Sequence, residues 1–259
     1  MSYLDSLFDL KNKVVVVIGG TGALCGQIAV GFAKAGCEVV ISGRDVDKAE
    51  DKIDLIEEAG GSAYFVETDI TERGSIEALV DIVSERSGRI DILINGAGVN
   101  FPRPAEHVTD TEMNRILDVN FQGVFRACQI FADYFKQRDN PASIINIGSI
   151  SGITPLSDRF IQSASKAALH NLTQNLAREW AEFDIRVNTL IPGFFPAEQS
   201  SVILDEAKML EILRKTPSSR FGNPNELIGA ALLLASSSAG SFITGSEIIV
   251  DGGYSTTSI

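Results

Sequence analysis

Val14-Val15-Val16-Val17-Ile18-Gly19-Gly20-Thr21-Gly22-Ala23-Leu24-Cys25-Gly26 is the stretch from which the rest of the chain is read. Five β-branched residues in a row predict a strand covered on both faces, as found inside a parallel sheet. The glycines after it allow a tight turn. They also leave the first N–H groups of a helix, with their partial positive charge, open to an anion such as a pyrophosphate. A purely structural turn would leave the same letters, so the elements on either side must decide.

Working outward, short apolar runs alternate with longer segments of helical period. Strands are predicted at 14–18, 38–41, 63–68, 90–95, 143–148, 185–191 and 247–250. Helices are predicted from the glycine turn to about 35, and at 46–59, 76–87, 112–135 and 160–183. Strands separated by helices imply parallel crossovers, and their near-continuous apolar character implies helices on both faces. The fold class is therefore α/β, a doubly wound parallel sheet of seven strands. A single domain is predicted, because no Pro/Gly/Ser-rich linker or change of composition divides the 259 residues. Asn223-Pro224 supplies a helix cap and a proline at the first helical position, followed at core spacing by Leu227, Ile228, Ala231, Leu232 and Leu234. After Lys166, the residues Leu169, Leu172, Leu176, Trp180 and Phe183 make one apolar stripe. Residues 194–220 break the rhythm and are predicted as a loop-rich lid over a substrate.

Hydrophobic residues make up 44% of the chain, ample for a buried core, and the longest apolar runs are far too short to span a bilayer. The N-terminal residues lack a basic stretch followed by an apolar run, so a cytoplasmic location is expected. Cys25, Cys37 and Cys128 are scattered and suit neither a disulfide framework nor a C-x-x-C metal site. Neither His107 nor His170 has a second ligand at helical spacing, so no transition-metal site is predicted. The net charge, 22 − 34 = −12, would repel phosphate backbones, and no nucleic-acid or membrane partner is expected.

The carboxyl ends of strands in an open parallel sheet share one edge, and ligands bind there. Asp69-Ile70 follow the third strand, where a carboxylate and a backbone group would face an adenine. Asn95-Gly96-Ala97-Gly98 end the fourth strand and Pro192-Gly193 the sixth. The second strand ends Ile41-Ser42-Gly43-Arg44. An acid at that point suits a ribose 2′-hydroxyl, whereas a cation suits a 2′-phosphate. Arg44 thus favours NADP(H), while an arginine merely stacked on adenine leaves NAD(H) open.

Over essentially its whole length the chain resembles the short-chain dehydrogenase/reductase family. The resemblance is carried by the glycine turn, Asp69, Asn95-Gly96-Ala97-Gly98, Val119-Asn120, Ser149, Lys166, Pro192-Gly193 and Asp251-Gly252-Gly253. It implies a Rossmann sheet, NAD(P) binding, a small-molecule substrate and a homotetramer or dimer built on the helices around 112–135 and 160–183. The cofactor-binding set expected from it is Gly19, Thr21, Gly22, Leu24, Gly26, Ser42, Arg44, Asp69, Ile70, Asn95, Ala97, Gly98, Lys166, Pro192 and Gly193. The first turn departs from the family's Thr-Gly-x-x-x-Gly-x-Gly: Ile18 replaces the threonine, and Cys25 is read as lengthening the loop by one residue. Similar longer loops, and the string from Pro192 to Gln199, resemble members acting on sugar acids, such as gluconate and mannonate/fructuronate oxidoreductases.

The expected catalytic residues are Asn120, Ser149, Gln162 and Lys166. The resemblance implies that Asn120 holds a water, that Ser149 hydrogen-bonds the substrate oxygen, and that Lys166 binds the nicotinamide ribose. It also calls for a Tyr-x-x-x-Lys, yet Gln162-Ser163-Ala164-Ser165-Lys166 stands there. A carboxamide can donate a hydrogen bond but has no proton to release near neutral pH. Three readings stay open: an oxidoreductase whose tyrosine was replaced, a catalytically silent dinucleotide-binding sensor or scaffold, and a chemistry in which Ser149, Lys166 or water moves the proton. The first and third make the chain an enzyme, and that side is favoured because Asn120, Ser149, Lys166 and the glycine turn have no joint use in a scaffold. Asn100, Arg103, Arg159 and Gln199 are the substrate candidates, with Arg103 or Arg159 expected to pair with a carboxylate.

Overall fold

The β-branched run forms strand β1 (Val14–Ile18), and its alternate residues feed two different cores. Val14, Val16 and Ile18 pack into one cluster, while Val15 and Val17 pack into the other. Successive side chains of a strand point to opposite faces, so a strand apolar at every position joins two layers of helices. The computed structural model describes residues 3–138, 140–195 and 206–256. Its other strands are β2 (Glu38–Gly43), β3 (Ser62–Glu67), β4 (Ile92–Asn95), β5 (Ala142–Ile147), β6 (Ile185–Pro192) and β7 (Glu247–Val250). They form one parallel sheet in the order β3-β2-β1-β4-β5-β6-β7. The winding reverses between β1 and β4, which opens a crevice at their carboxyl ends.

The helices among the described residues are α1 (Tyr3–Phe8), α2 (Ala23–Lys34), α3 (Val46–Glu58), α4 (Arg73–Ser87), α5 (Asp110–Leu117), α6 (Val124–Arg138), α7 (Phe160–Trp180), α8 (Glu206–Lys215) and α9 (Ile228–Ala235). One face of the sheet is covered by α4, α6 and α7, the other by α2, α3 and α9. No helix among the described residues is long and apolar enough to cross a membrane.

The structure corrects the sequence reading in several places. The helix expected at 112–135 is two helices, α5 and α6, joined by a π-helical turn at Asp118–Gly123. That turn lies against the end of β3: a Cβ on Gly123 would stand 2.8 Å from the Ile70 carbonyl oxygen. The supposed loop-rich lid contains the helix α8, and its residues 196–205 lie outside the described ones. Cys25 does not lengthen the glycine turn, because α2 begins at Ala23 and Cys25 sits in its first turn. In the stripe after Lys166, Leu169, Leu176 and Trp180 are buried, but Phe183 ends up exposed. Asn223 does cap its helical segment, in a reciprocal capping box with Glu226.

The amino end of β1 is tied down by a buried carboxylate. Asp91 Oδ2 accepts from Val14 N–H at 2.9 Å and from Arg89 Nε at 2.8 Å, and Lys13 Nζ lies 3.6 Å from Oδ1. Asp91→Ala would leave a backbone donor unsatisfied and two cations without their partner. Its expected cost is about 2–4 kcal/mol of folding stability, read from the urea midpoint at unchanged slope.

Candidate active site at the carboxyl edge

Two cavities, each of about 320 Å³, lie along the carboxyl edge of the sheet. The first is lined by Gly19, Thr21, Gly22, Arg44, Asp69, Ile70, Ala97 and Gly98, with Ile18, Gly43, Asp45, Lys48, Thr68, Gly96, Val99, Arg115 and Val119 completing the wall. Gly19 makes it possible. It has φ +81°, and a Cβ there would stand 2.6 Å from the Ala97 nitrogen, so the turns after β1 and β4 touch through backbone alone. Gly19 N–H donates to the Ser42 carbonyl at 2.8 Å, which ties the turn to β2 as well. Gly22 caps α2 without a side-chain bond, leaving the first N–H groups of the helix facing the crevice. A dinucleotide fits these features: a glycine cradle, a helix N-terminus for its phosphates and a groove for its adenosine.

The rim of this groove carries Arg44, Lys48 and Arg115 against Asp45 and Asp69. Lys48 is paired with Asp45 at 2.6 Å, and Arg44 lies 3.9 Å from Asp69. Burial works to raise the Asp69 carboxyl, but bonds from the Thr71 N–H and hydroxyl, helped by Arg44 and Arg115, outweigh it and hold it below the usual carboxylate range. Arg44 is 59% exposed, so its guanidinium is free to turn toward a ligand.

The second cavity is lined by Ser149, Gln162, Arg159, Leu24, Pro192, Gly193 and apolar side chains including Leu156, Phe194, Phe195, Met209 and Phe221. Ser149 Oγ accepts from Ser151 N–H at 3.2 Å and from the Ser151 hydroxyl at 2.9 Å, which leaves its own hydrogen for a ligand. Gln162 Oε1 is buried and has no hydrogen-bond partner. Arg159 is half-buried, and its side chain has no hydrogen bond or ion pair among the described residues; burial lowers its pKa despite the neighbouring Asp158 charge. The C-terminal Asp251-Gly252-Gly253 buttresses this wall: Gly193 N–H donates to the Val250 carbonyl at 2.9 Å, and Ser218 N–H to that of Gly252 at 3.1 Å.

Between the two cavities stand Lys166 and Asn120. Lys166 is 6% exposed, and its Nζ donates to the Ile147 carbonyl at 2.6 Å. A Cβ on Gly98 would stand 3.9 Å from that Nζ and 3.5 Å from Asn120 Oδ1, so both side chains meet beneath the loop after β4. Burial pushes the Lys166 ammonium down to about 8, and burial likewise pushes the Cys25 thiol up to about 11. Asn120 Oδ1 accepts from Val99 N–H at 2.8 Å, and its Nδ2 donates to the Val99 carbonyl at 2.9 Å. The carboxamide thereby clamps the residue next to Gly98.

Other candidates lie elsewhere. Asn95 turns into the core, where its amide donates to Asn146 Oδ1 at 2.9 Å and to Cys128 Sγ at 3.3 Å, so its side chain does not face the groove. Gly26 packs on Lys52, and Ser42 is wholly buried behind the groove. Arg103 Nε pairs with Glu112 at 2.6 Å, which spends the charge expected for a substrate. Asn100 lines neither cavity, its Oδ1 being buried without a partner, and Gln199 lies outside the described residues. Among the described residues, no tyrosine lines the Ser149 cavity. Tyr64 bonds Ser87 and stacks under Arg86, while Tyr134 is far along α6. Tyr254 lines a smaller neighbouring cavity and stands edge-on to Phe194 at 5.0 Å.

A family model described as enoyl-(acyl carrier protein) reductase matches residues 22–255. The chain belongs to the short-chain dehydrogenase/reductase family. Among curated relatives, 3beta-hydroxysteroid dehydrogenase 1 of Eggerthella lenta is 36% identical over 247 residues, covering 95% of this chain and 94% of that protein. The 5-keto-D-gluconate 5-reductase of Escherichia coli (strain K12) is 31% identical over 257 residues, with 96% and 98% covered. A solved gluconate 5-dehydrogenase from Burkholderia cenocepacia J2315, in complex with NADP and tartrate, superposes with a TM-score of 0.93 at 30% identity, covering 99% of this chain and 100% of that one. This short-chain dehydrogenase/reductase therefore has the family's Rossmann fold, whose cofactor is a nicotinamide dinucleotide.

Sequence reading of this short-chain dehydrogenase/reductase missed Lys48, Arg115 and the apolar wall of Leu156, Phe195, Met209 and Phe221. Lys48 had a signal, since Asp45 is an N-cap whose carboxylate bonds Lys48. The apolar wall had none, as it gathers segments remote in sequence. Two outcomes follow. Gly19→Ala should weaken dinucleotide binding at least about tenfold by calorimetry, because it strains a positive φ and strikes Ala97. Lys166 has its folded pKa lowered from 10.5 to about 8, so below pH 8 its buried charge costs stability that is recovered as pH rises toward 10.5. Lys166→Met should thus be the more stable protein at pH 7, by up to about 3 kcal/mol, and the advantage should vanish above about pH 10.5 in urea titrations.

Proposed function

We propose that the protein is an NAD(P)-dependent oxidoreductase for a small polyhydroxylated carboxylic acid, of the sugar-acid type, whose turnover is slow because Gln162 stands where the family has a tyrosine acid. The observation that carries this is the combination in one cavity of a serine hydroxyl with a free hydrogen, a glutamine carbonyl without a partner, and a half-buried arginine that makes no ion pair among the described residues. A polyol chain offers hydroxyl donors to Gln162 Oε1, and a carboxylate offers Arg159 a bidentate partner. The steroid substrate named for one relative offers no such group for Arg159. The sugar acids named for the other two do.

In this reading the nicotinamide ring supplies or takes the hydride, and the residues orient and polarise. Ser149 donates to the reacting oxygen. Lys166 and Asn120 hold the ribose side of the crevice through Gly98 and Ile147. Gln162 donates or accepts a hydrogen bond but cannot exchange a proton, so water is the proton source. The lost acid–base contribution is typically about 10²–10⁴ in rate, or roughly 3–5.5 kcal/mol of barrier. We further propose NADP(H) as the preferred cofactor through Arg44, a cover over the cavity that includes α8 and its Met209, a homotetramer on the α5–α7 faces, and a cytoplasmic site of action, which suits three free cysteines.

Cofactor oxidation assays with 5-keto-gluconate and related acids test the central claim. Gln162→Tyr should raise kcat by about 10²–10⁴ with little change in cofactor affinity. Silence in both proteins, with cofactor binding intact, would instead assign the chain to the dinucleotide-binding sensors or scaffolds. Arg159→Gln, in the Gln162→Tyr protein, should raise KM for the acid at least about tenfold and leave a neutral polyol unaffected. Arg44→Asp should weaken NADP(H) at least about tenfold while sparing NAD(H), as calorimetry would record.

A further inference from the structure

An imidazole stands directly behind the serine turn, and none of the chemistry above uses it. His170, one turn beyond Lys166 on α7, is 5% exposed. A Cβ on Gly148 would lie 2.5 Å from its Nε2, and one on Gly152 would lie 2.8 Å from its Cε1. The ring is therefore wedged between the two glycines that bracket Ser149-Ile150-Ser151. Ser149 N–H donates to Nε2 in a long bond of 3.5 Å. With Nε2 accepting, the ring proton belongs on Nδ1, which faces Glu247 Oε1 of β7 at 4.0 Å.

We propose that His170 is a positioning residue: by filling the space beneath residues 148–152 and accepting from Ser149 N–H, it fixes the direction in which the Ser149 hydroxyl enters the cavity. This rests on the reading that the hydroxyl holds the reacting oxygen. Ser149 Oγ is held on one side by Ser151, through both its N–H and its hydroxyl, and the backbone nitrogen of Ser149 is held from below by the ring. Among the described residues lining the cavity, Ser149 carries the one hydroxyl, so its direction decides what a ligand oxygen meets.

The ring has to be neutral for this, since an imidazolium has no acceptor and would set one N–H against another. The charged groups facing it are Lys166 from its own helix and Glu247 from β7; the serine turn brings none. Burial first, then the Lys166 charge, pushes its pKa from 6.5 down to about 4. The accepting form thus persists across the neutral range and is lost only as pH falls through about 4.

The test uses the full chain carrying Gln162→Tyr, in which turnover is large enough to dissect. His170→Leu keeps bulk but removes the acceptor, and His170→Gln returns an acceptor at about the reach of Nε2. The expected result for His170→Leu is a kcat lowered about tenfold or more, with KM and cofactor affinity within about twofold, and His170→Gln should restore most of the loss. A kcat for folded His170→Leu within about twofold of its parent would overturn the proposal. If no acid is turned over by any form, or if His170→Leu does not fold, side-chain ¹⁵N resonances of the unaltered protein decide. An unprotonated Nε2 between about pH 5 and 8, together with a Ser149 amide proton whose exchange is slowed in that range, supports the positioning role. A protonated Nε2, or a freely exchanging Ser149 amide, refutes it.

Discussion

The site depends on one backbone contact, the approach of Gly19 to Gly96-Ala97 at the carboxyl ends of β1 and β4. No side chain fits between these turns, and the winding of the sheet reverses at this point. The crevice that results is a consequence of topology, but its depth is set by the missing Cβ. Everything that follows in space is measured from that contact. The helix N-terminus at Gly22 faces into the crevice, Gly98 lies over Lys166 and Asn120, and Arg44 and Asp69 close the far side.

Most of the architecture was legible because its signals are local. A run of β-branched residues, a glycine turn and an Asn-Pro cap each act within a few positions, and β1 and the cap at Asn223 formed where they were expected. The interrupted helix was not legible. The π turn at 118–123 forms where Gly123 meets the end of β3, a contact between segments far apart in sequence. Cys25 was misjudged for a related reason: counting letters after Gly19 cannot show that the helix has already begun at Ala23.

The same division holds for the site. Ser149, Gln162 and Arg159 share a cavity, whereas Asn95 and Arg103 are turned toward Asn146 and Glu112. Strand-end position says which residues are near an edge, not which way their side chains leave the backbone. A polar side chain near an edge has competing partners, and the Asn95 amide, whose Nδ2 donates to a core carboxamide, stays in the core. His170 illustrates the opposite failure. In the sequence it is a solitary histidine with no second ligand at helical spacing, and its relation to Ser149 arises only when α7 lies beneath the turn after β5.

The buttress made by Asp251-Gly252-Gly253 has a consequence for biogenesis. Gly193 and Ser218 reach their backbone partners only once β7 and the turn after it have been added to the sheet. The wall beside Ser149 is therefore complete only when these C-terminal segments have joined the sheet.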